Sequence, residues 1–223
     1  MEMTKNGIVY DLMPNGLTVV RLSTTWTPNK RLKIPSSAWN HEVTHIAPNA
    51  FQGHDFETVV LPRSIHQIGD YAFADCKSLV GVNFTDRGSC PKYLHIGEKA
   101  FYNCESLIAI NSIWGSLVLA NSAFEGCKNL VLNNLVFKAG ERAFAGCEQL
   151  RCLHMKCGGE LAKNAIDATQ EITVMFTVEK FVPGDYENII KNLEGTNAVI
   201  CCADDSPMIE LVYEGYCVKT TPF

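Results

Sequence analysis

The stretch NHEVTHIAPNAF contains a spacing that is typical of a catalytic metal site. His41, Glu42 and His45 follow the pattern H-E-x-x-H, which on a helix places both imidazoles on one face to bind zinc, with the glutamate beside a bound water. This chemistry requires a helix. Val43 and Thr44 inside the motif are β-branched and favour a strand instead. We therefore predict a strand with His41, Val43 and His45 on one face, and we keep a zinc metallopeptidase as an alternative.

Ten cysteines are a second source of chemistry, as metal ligands or as redox pairs. Cys201 and Cys202 are too close together for a C-x-x-C chelate, and Cys152 and Cys157 lack a second pair of matching spacing. A recurring cysteine instead behaves as a small buried hydrophobe, and parallel side chains on stacked turns have poor disulfide geometry. The recurring cysteines are Cys76, Cys104, Cys127 and Cys147. We therefore expect no bound metal, no cofactor and no catalytic residue.

These four cysteines belong to a repeat that organises most of the chain. Four copies contain the pair Ala-Phe, with a cysteine three residues after the phenylalanine and a leucine three residues later. The first copy has Ala-Phe but His54 in place of the cysteine, and a sixth copy is degenerate. The anchoring alanines are Ala50, Ala72, Ala100, Ala123, Ala143 and Ala165, at periods of 22, 28, 23, 20 and 22 residues. This period is typical of leucine-rich solenoids, in which every turn adds a strand to a parallel sheet and stacked turns share one core. The repeat therefore predicts a buried column of phenylalanines: Phe51, Phe73, Phe101, Phe124 and Phe144.

A strand of the form L-x-x-φ-x-φ is predicted after each repeat leucine, where φ is an apolar residue that faces the core. Alternation along a strand leaves the other residues facing outward. The predicted outward set combines aliphatic and polar residues: Val80, Gly81, Asn83, Ile108, Ala109, Asn111, Val131, Leu132, Asn134, Arg151, Cys152 and His154. From it we select Asn83, Asn111, Asn134, Arg151 and His154 as candidate binding residues. The alternative is that the asparagines form an amide ladder between adjacent turns.

The long period before Ala100 indicates an insertion over residues 85–93. Its polar and aromatic side chains provide the other candidate binding residues, which are Arg87, Lys92 and Tyr93.

The units IGDYAFADCKSL and IGEKAFYNCESL resemble the BspA-like leucine-rich repeat family. The resemblance implies an α/β-type right-handed solenoid with a parallel sheet. It implies a β cap over residues 1–45 that contains a hairpin at Asn15-Gly16, about six repeat turns over 46–176, and a helix and strand cap over 177–223, together one structural domain. Within this last cap, a helix is predicted over residues 185–195, starting at Asp185, and two strands are predicted after it. The resemblance also implies a non-enzymatic, adhesin-like protein at the cell surface or secreted, which binds a protein or a glycan. A structural or assembly domain of a larger surface or virion-like complex is the alternative function.

Composition and charge argue against some classes of binding partner and of cellular location. The net charge is −5 with a pI near 5.7, and the basic residues are scattered, so nucleic acid is not expected as a partner. No apolar run is long enough to cross a bilayer, so membrane insertion is not expected. The first residues, MEMTKNGIVY, show no secretory signal, so a cytoplasmic location is the alternative to the surface. We expect a monomer in isolation.

Overall fold

The computed structural model describes residues 2–14, 16–24, 29–85, 88–89, 91–111, 115–177 and 187–201. These residues form stacked turns that contribute strands to two sheets. The long sheet contains, in spatial order, β1 (Glu2–Lys5), β2 (Ile8–Met13), β3 (Gly16–Leu22), β6 (His41–Ile46), β8 (Gln67–Ile68), β10 (Tyr93–Ile96), β12 (Ser116–Leu119), β13 (Leu135–Ala139), β14 (Cys152–Leu161), β15 (Ile172–Thr177) and β16 (Ala198–Cys201). The short sheet contains β11 (Ala109–Asn111), β9 (Gly81–Thr85), β7 (Thr58–Pro62) and β4 (Arg31–Lys33), and β5 (Ser37–Ala38) pairs with β6 alone.

The parallel-sheet solenoid is confirmed, but the α/β description is not. The described residues contain one helix, α1 (Glu187–Leu193), and the Ala-Phe segments are hydrogen-bonded turns. The backbone amides of these turns donate hydrogen bonds to the next turn of the coil. The amide of Phe73 donates to the carbonyl of Ala100 at 2.8 Å, and the amide of Phe101 donates to that of Ala123 at 2.9 Å. These groups are thereby satisfied between turns and not within a helix.

The N-terminal hairpin is present, with β2 and β3 paired antiparallel. A third strand, β1, extends it on one side, and β3 pairs parallel with β6 on the other. The hairpin therefore continues the long sheet, since it covers the first turn of the coil with paired strands. Asn15, which was predicted to lie in its turn, is outside the described residues.

The C-terminal cap remains a prediction. Helix α1 lies within the segment predicted to be helical; its Ile189 is buried, and Asn192 Nδ2 donates to the carbonyl of Leu161 in β14 at 2.8 Å. The helix therefore packs on the last repeat. Residues 178–186 and 202–223, which include the predicted helix start at Asp185 and the second predicted strand, lie outside the described residues.

The phenylalanine column is confirmed. Phe51, Phe73, Phe101, Phe124 and Phe144 are fully buried, and the ring centroids of successive members are 5.2, 5.2, 5.3 and 6.0 Å apart in stacked geometry. Each ring covers the ring of the preceding turn, so a single side chain contributes to the core of three levels. Offset ring stacking adds a small favourable term to the burial of apolar area.

A left-handed backbone position precedes the alanine of every repeat. The residues there are not glycines: Asn49, Tyr71, Lys99, Ser122, Arg142 and Asn164 have φ between 51° and 67°. A non-glycine residue in this region is strained by roughly 1 kcal/mol or more. The six equal conformations show that the stacked backbone hydrogen bonds impose one turn geometry on residues that differ in side chain.

The four recurring cysteines act as hydrogen-bond donors as well as apolar groups, which the sequence did not reveal. The Sγ of each lies 3.0–3.1 Å from the backbone carbonyl oxygen of the phenylalanine one turn earlier; the pairs are Cys76 with Phe51, Cys104 with Phe73, Cys127 with Phe101 and Cys147 with Phe124. Burial, more than the neighbouring Cys104, raises the pKa of Cys76 to about 12. Burial also raises the pKa of Cys127 and Cys147. The thiols of Cys76, Cys127 and Cys147 are therefore protonated and chemically inert in the folded protein.

The raised pKa of Cys76 predicts a loss of stability in alkaline solution. Above about pH 9 the thiol ionises in the unfolded chain but stays protonated in the folded one, so the unfolded state binds fewer protons and stability falls until the pH passes about 12. Each such group changes the free energy of unfolding by about 1.4 kcal/mol per pH unit in that window. We expect Cys76→Ser to show a shallower decline than the wild type in urea unfolding between pH 9 and 10.5. Parallel profiles for the two proteins would contradict the burial of this thiol.

Candidate functional site

An exposed column of aliphatic side chains runs along the coil at the margin of the short sheet. Val80, Ile108 and Val131 are 43%, 48% and 45% exposed, and each directly follows the repeat leucine. Backbone hydrogen bonds align them, because the amide of Ile108 donates to the carbonyl of Val80 at 2.9 Å and the amide of Val131 to that of Ile108 at 2.8 Å. We call Val80, Ile108 and Val131 the aliphatic column. Its three side chains come from successive turns and are not part of the buried core.

The short sheet extends the aliphatic column sideways with small residues and amides. Gly81 and Ala109 are paired neighbours on β9 and β11 and are partly exposed, so they leave a shallow shelf beside the column. The next outward pair is Asn83 and Asn111, in which Asn111 Nδ2 donates to Asn83 Oδ1 at 3.0 Å. The amide ladder that was the alternative for these asparagines is therefore present at this pair.

Charged side chains border the aliphatic column on its other side. Lys77, Glu105 and Lys128 lie three residues before Val80, Ile108 and Val131, and Glu105 Oε1 and Oε2 lie 3.6 Å from Lys77 Nζ and 2.8 Å from Lys128 Nζ. The hydrogen bond from Lys128 is the main cause that holds the pKa of Glu105 below its usual value. Exposed ion pairs of this kind contribute little to stability. They do give the column a polar rim.

The predicted row of Asn83, Asn111, Asn134 and His154 is interrupted. Asn134 is partly buried, and its Oδ1 has no hydrogen-bond partner among the described residues. Leu135, not Asn134, lies opposite His154 where β13 pairs with β14. Leu132 is buried and not outward-facing, so that part of the prediction is wrong.

The insertion lies on the long sheet and does not join the aliphatic column. Ser89 donates to Glu42 of β6 through its backbone amide and its hydroxyl, at 2.8 and 2.9 Å, and the ring of Tyr93 lies 5.1 Å from that of Phe137. Lys92 Nζ is 5.2 Å from the Tyr93 ring. The structure therefore separates these candidates from Asn83 and Asn111. Arg87 lies outside the described residues.

Arg151 follows the repeat leucine Leu150, so it is the equivalent of Val131 in the next repeat. It lines an open pocket of about 340 Å³. Three carboxylates share this pocket, from Glu148, Asp167 and Glu171. Asp167 Oδ2 is used by the fold, since it accepts a hydrogen bond of 2.6 Å from the amide of Gly146. The pocket thus ends the outward row in a polar, mainly acidic site.

The H-E-x-x-H motif lies on β6 and not on a helix, as predicted. The prediction that Val43 and His45 share a face is wrong, because Thr44 is an extra residue in the pairing with β3; Val43 is buried and His45 is partly exposed. A β-bulge of this kind reverses the alternation. Glu42 binds Ser89 and is not arranged to polarise a water. Trp39 and Asn40, both with positive φ, form the turn that returns the chain from β5 into β6.

His45 has a different neighbour from the one that the motif suggested. Its ring centroid lies 4.4 Å from that of His66, and its Nδ1 is 2.8 Å from Thr44 Oγ1. Burial, followed by the charge of His66, lowers the pKa of His45. Within the described part of the chain, no three histidine, cysteine or acidic side chains are grouped so that they could hold a metal ion.

The family model for the BspA type leucine rich repeat region matches residues 44–173 in six copies, which is more than half of the chain. The chain belongs to the BspA-type leucine-rich repeat family. This assigns the Ala-Phe turns, the cysteine position and the repeat leucines of the solenoid to one family pattern. A comparison of this BspA-type protein with curated proteins found no match.

A solved structure supports the fold. A leucine rich cell surface protein from Faecalibacterium prausnitzii superposes with a TM-score of 0.59 at 20% identity over 91% of this chain, and the chain spans 54% of that protein. A leucine-rich repeat protein from Bacteroides capillosus has 20% identity over 69% of this chain and 97% of its own length, with a TM-score of 0.42. Among the described residues of this BspA-type protein, no helix has the length and apolarity needed to span a membrane.

Proposed function

We propose that this BspA-type repeat protein is a non-enzymatic binding module of the cell surface, and that it binds a protein partner through the aliphatic column. The observation that carries the proposal is the exposure of Val80, Ile108 and Val131 at one repeat position on three successive turns. An isolated exposed aliphatic residue is ordinary, whereas an aligned set indicates an interaction surface. The neighbour from F. prausnitzii, described as a cell surface protein, supports the location.

The surroundings of the aliphatic column favour a protein over a glycan. The column is apolar and aliphatic, whereas its borders are the Lys77–Glu105–Lys128 ion pairs on one side and the Asn83–Asn111 amides on the other. An apolar centre within a polar rim is the usual anatomy of a protein interface. The rigid stacked turns hold the side chains in place, so that little conformational entropy is lost on binding.

Binding to a panel of purified extracellular-matrix proteins would test this proposal. We expect saturable binding to at least one of them, and we expect Ile108→Glu to raise its Kd at least ~10-fold, because the new carboxylate would be buried against an apolar partner surface. Leu12→Glu is the matched control, since Leu12 is 43% exposed but lies on the N-terminal hairpin. Failure of every matrix protein to bind, or equal Kd values for the two variants, would contradict the proposal.

The same column supports a second function, as an assembly surface between copies of the chain. Light scattering over a range of concentrations separates the two functions. A mass that doubles with concentration and stays monomeric in Ile108→Glu would assign the column to self-association. If the wild type has the mass of a monomer at all concentrations, the aliphatic column does not mediate self-association and is assigned to binding of a different protein.

A further inference from the structure

A thiol and an imidazole lie together on the outer side of β14, apart from the aliphatic column. Cys152 Sγ is 3.5 Å from His154 Nε2, and both side chains are partly exposed. The two residues are separated by one position in the strand, so alternation places them on the same face. A cysteine beside an imidazole is the arrangement that activates a sulfur nucleophile, because the imidazole takes the thiol proton.

Cys152 differs in two ways from the four recurring cysteines. Those cysteines are fully buried and donate to backbone carbonyl oxygens, which can accept a hydrogen bond but cannot take the proton away. Cys152 is reachable from solvent, and its partner is a base. Among the cysteines whose side chains the structure describes, it is therefore the one placed to react.

The residues paired with Cys152 and His154 in the neighbouring strands are uncharged. Thr173 and Met175 of β15 lie opposite Cys152 and His154, and Leu135 of β13 lies opposite His154 on the other side. Lys156, two residues beyond His154 on the same face of β14, adds a positive charge. Glu160 at the far end of β14 is paired with Lys138 of β13. A nearby ammonium group favours the thiolate form of a cysteine, so Lys156 supports a nucleophile on this face of β14.

We propose that Cys152 is a site of thiol–disulfide exchange with small organic disulfides, and that His154 is the base that positions and removes its proton. The Cys152 thiolate attacks one sulfur of the disulfide and the S–S bond of the reagent breaks. A mixed disulfide forms on Cys152, and the other half of the reagent leaves as a thiolate, which takes up the proton held by His154. The disulfide is the oxidant, so no other reactant is needed. Oxidised glutathione belongs to this chemical class.

Labelling of the native full-length chain by the aromatic disulfide DTNB would test the proposal, with the modified cysteine identified by peptide mass spectrometry. At pH 7 we expect Cys152 to be labelled faster than free glutathione, and His154→Gln to slow its labelling at least ~10-fold, the lower end of what a positioned base contributes. His95→Gln, a histidine on β10, is the control and should leave the rate unchanged. The gap between wild type and His154→Gln should narrow towards pH 10, where hydroxide replaces the imidazole as base.

Two results would overturn the proposal. The first is labelling of Cys152 in the wild type at or below the rate of free glutathione at pH 7, which needs no variant. The second is an equal rate in His154→Gln, checked in His154→Asn with native circular dichroism for both variants. Incubation of the protein with oxidised glutathione tests the proposed class of disulfide. A mass gain of one glutathionyl group on Cys152, absent in Cys152→Ser, would extend the result to oxidised glutathione. The absence of this gain would restrict the site to aromatic disulfides and contradict the proposed class.

Discussion

Replacing Phe101 with alanine is expected to lower the free energy of unfolding by about 3–5 kcal/mol. Phe101 is the central ring of the column, fully buried, and stacked against Phe73 and Phe124 at centroid distances of 5.2 and 5.3 Å. Its removal leaves a cavity between two turns that are held apart by backbone hydrogen bonds and cannot collapse. Urea unfolding followed by circular dichroism would measure the loss.

Ile108→Ala is the matched control for this experiment. Ile108 belongs to the same repeat but is 48% exposed, so its truncation should change stability by roughly 0.5 kcal/mol or less. A loss of similar size in both variants would show that the rings do not carry the core. Because each turn contacts its neighbours only, we also expect Phe101→Ala to reduce the cooperativity of unfolding.

Replacing Gly69 with alanine has the second-largest expected effect, a loss of about 1–3 kcal/mol, which is the usual cost of overpacking. A Cβ at this position would lie 2.5 Å from the backbone nitrogen of Pro48 and 2.8 Å from the carbonyl carbon of Ala47, in the preceding turn. Both are backbone atoms, so the clash is relieved only if two turns move apart. Thermal and urea unfolding would measure the effect.

The same repeat position tolerates alanine elsewhere, which supplies the control. Ala120 follows the inward Leu119 as Gly69 follows Ile68. Ala120→Gly should therefore cost less than about 1 kcal/mol, through the added freedom of glycine in the unfolded chain. If Gly69→Ala is as stable as the wild type, the two turns are not as closely stacked as the structure shows.

The two substitutions differ in their expected effect on the aliphatic column. Phe101 belongs to the same repeat as Ile108, so a shift of this turn should weaken partner binding without altering any residue of the column. The clash at Gly69 lies against Ala47 and Pro48, in the turn before the one that carries Val80, so Gly69→Ala should change stability more than partner binding.

The repeat made much of the interior predictable. A single turn cannot bury its own apolar side, so any residue type that recurs at one position has to face the shared core. This reasoning placed the five phenylalanines and the four cysteines correctly. Residue type predicted the strand at His41 to His45, because the β-branched residues inside the motif favour a strand. The exposed Val80, Ile108 and Val131 were also predicted to face outward, since they follow the repeat leucine.

What depends on contacts between turns was not predictable in the same way. The pairing of neighbouring turns sets the register, so Leu135 instead of Asn134 lies opposite His154, and the extra residue Thr44 turns Val43 inward and His45 outward. The thiol donors to backbone carbonyls and the hydrogen bonds from Ser89 to Glu42 are equally invisible in the repeat. The sequence by itself determined which residues form the core, because periodicity is a local property. The tertiary structure alone decided which surface residues meet, because neighbouring turns place side chains together that are tens of residues apart in the chain.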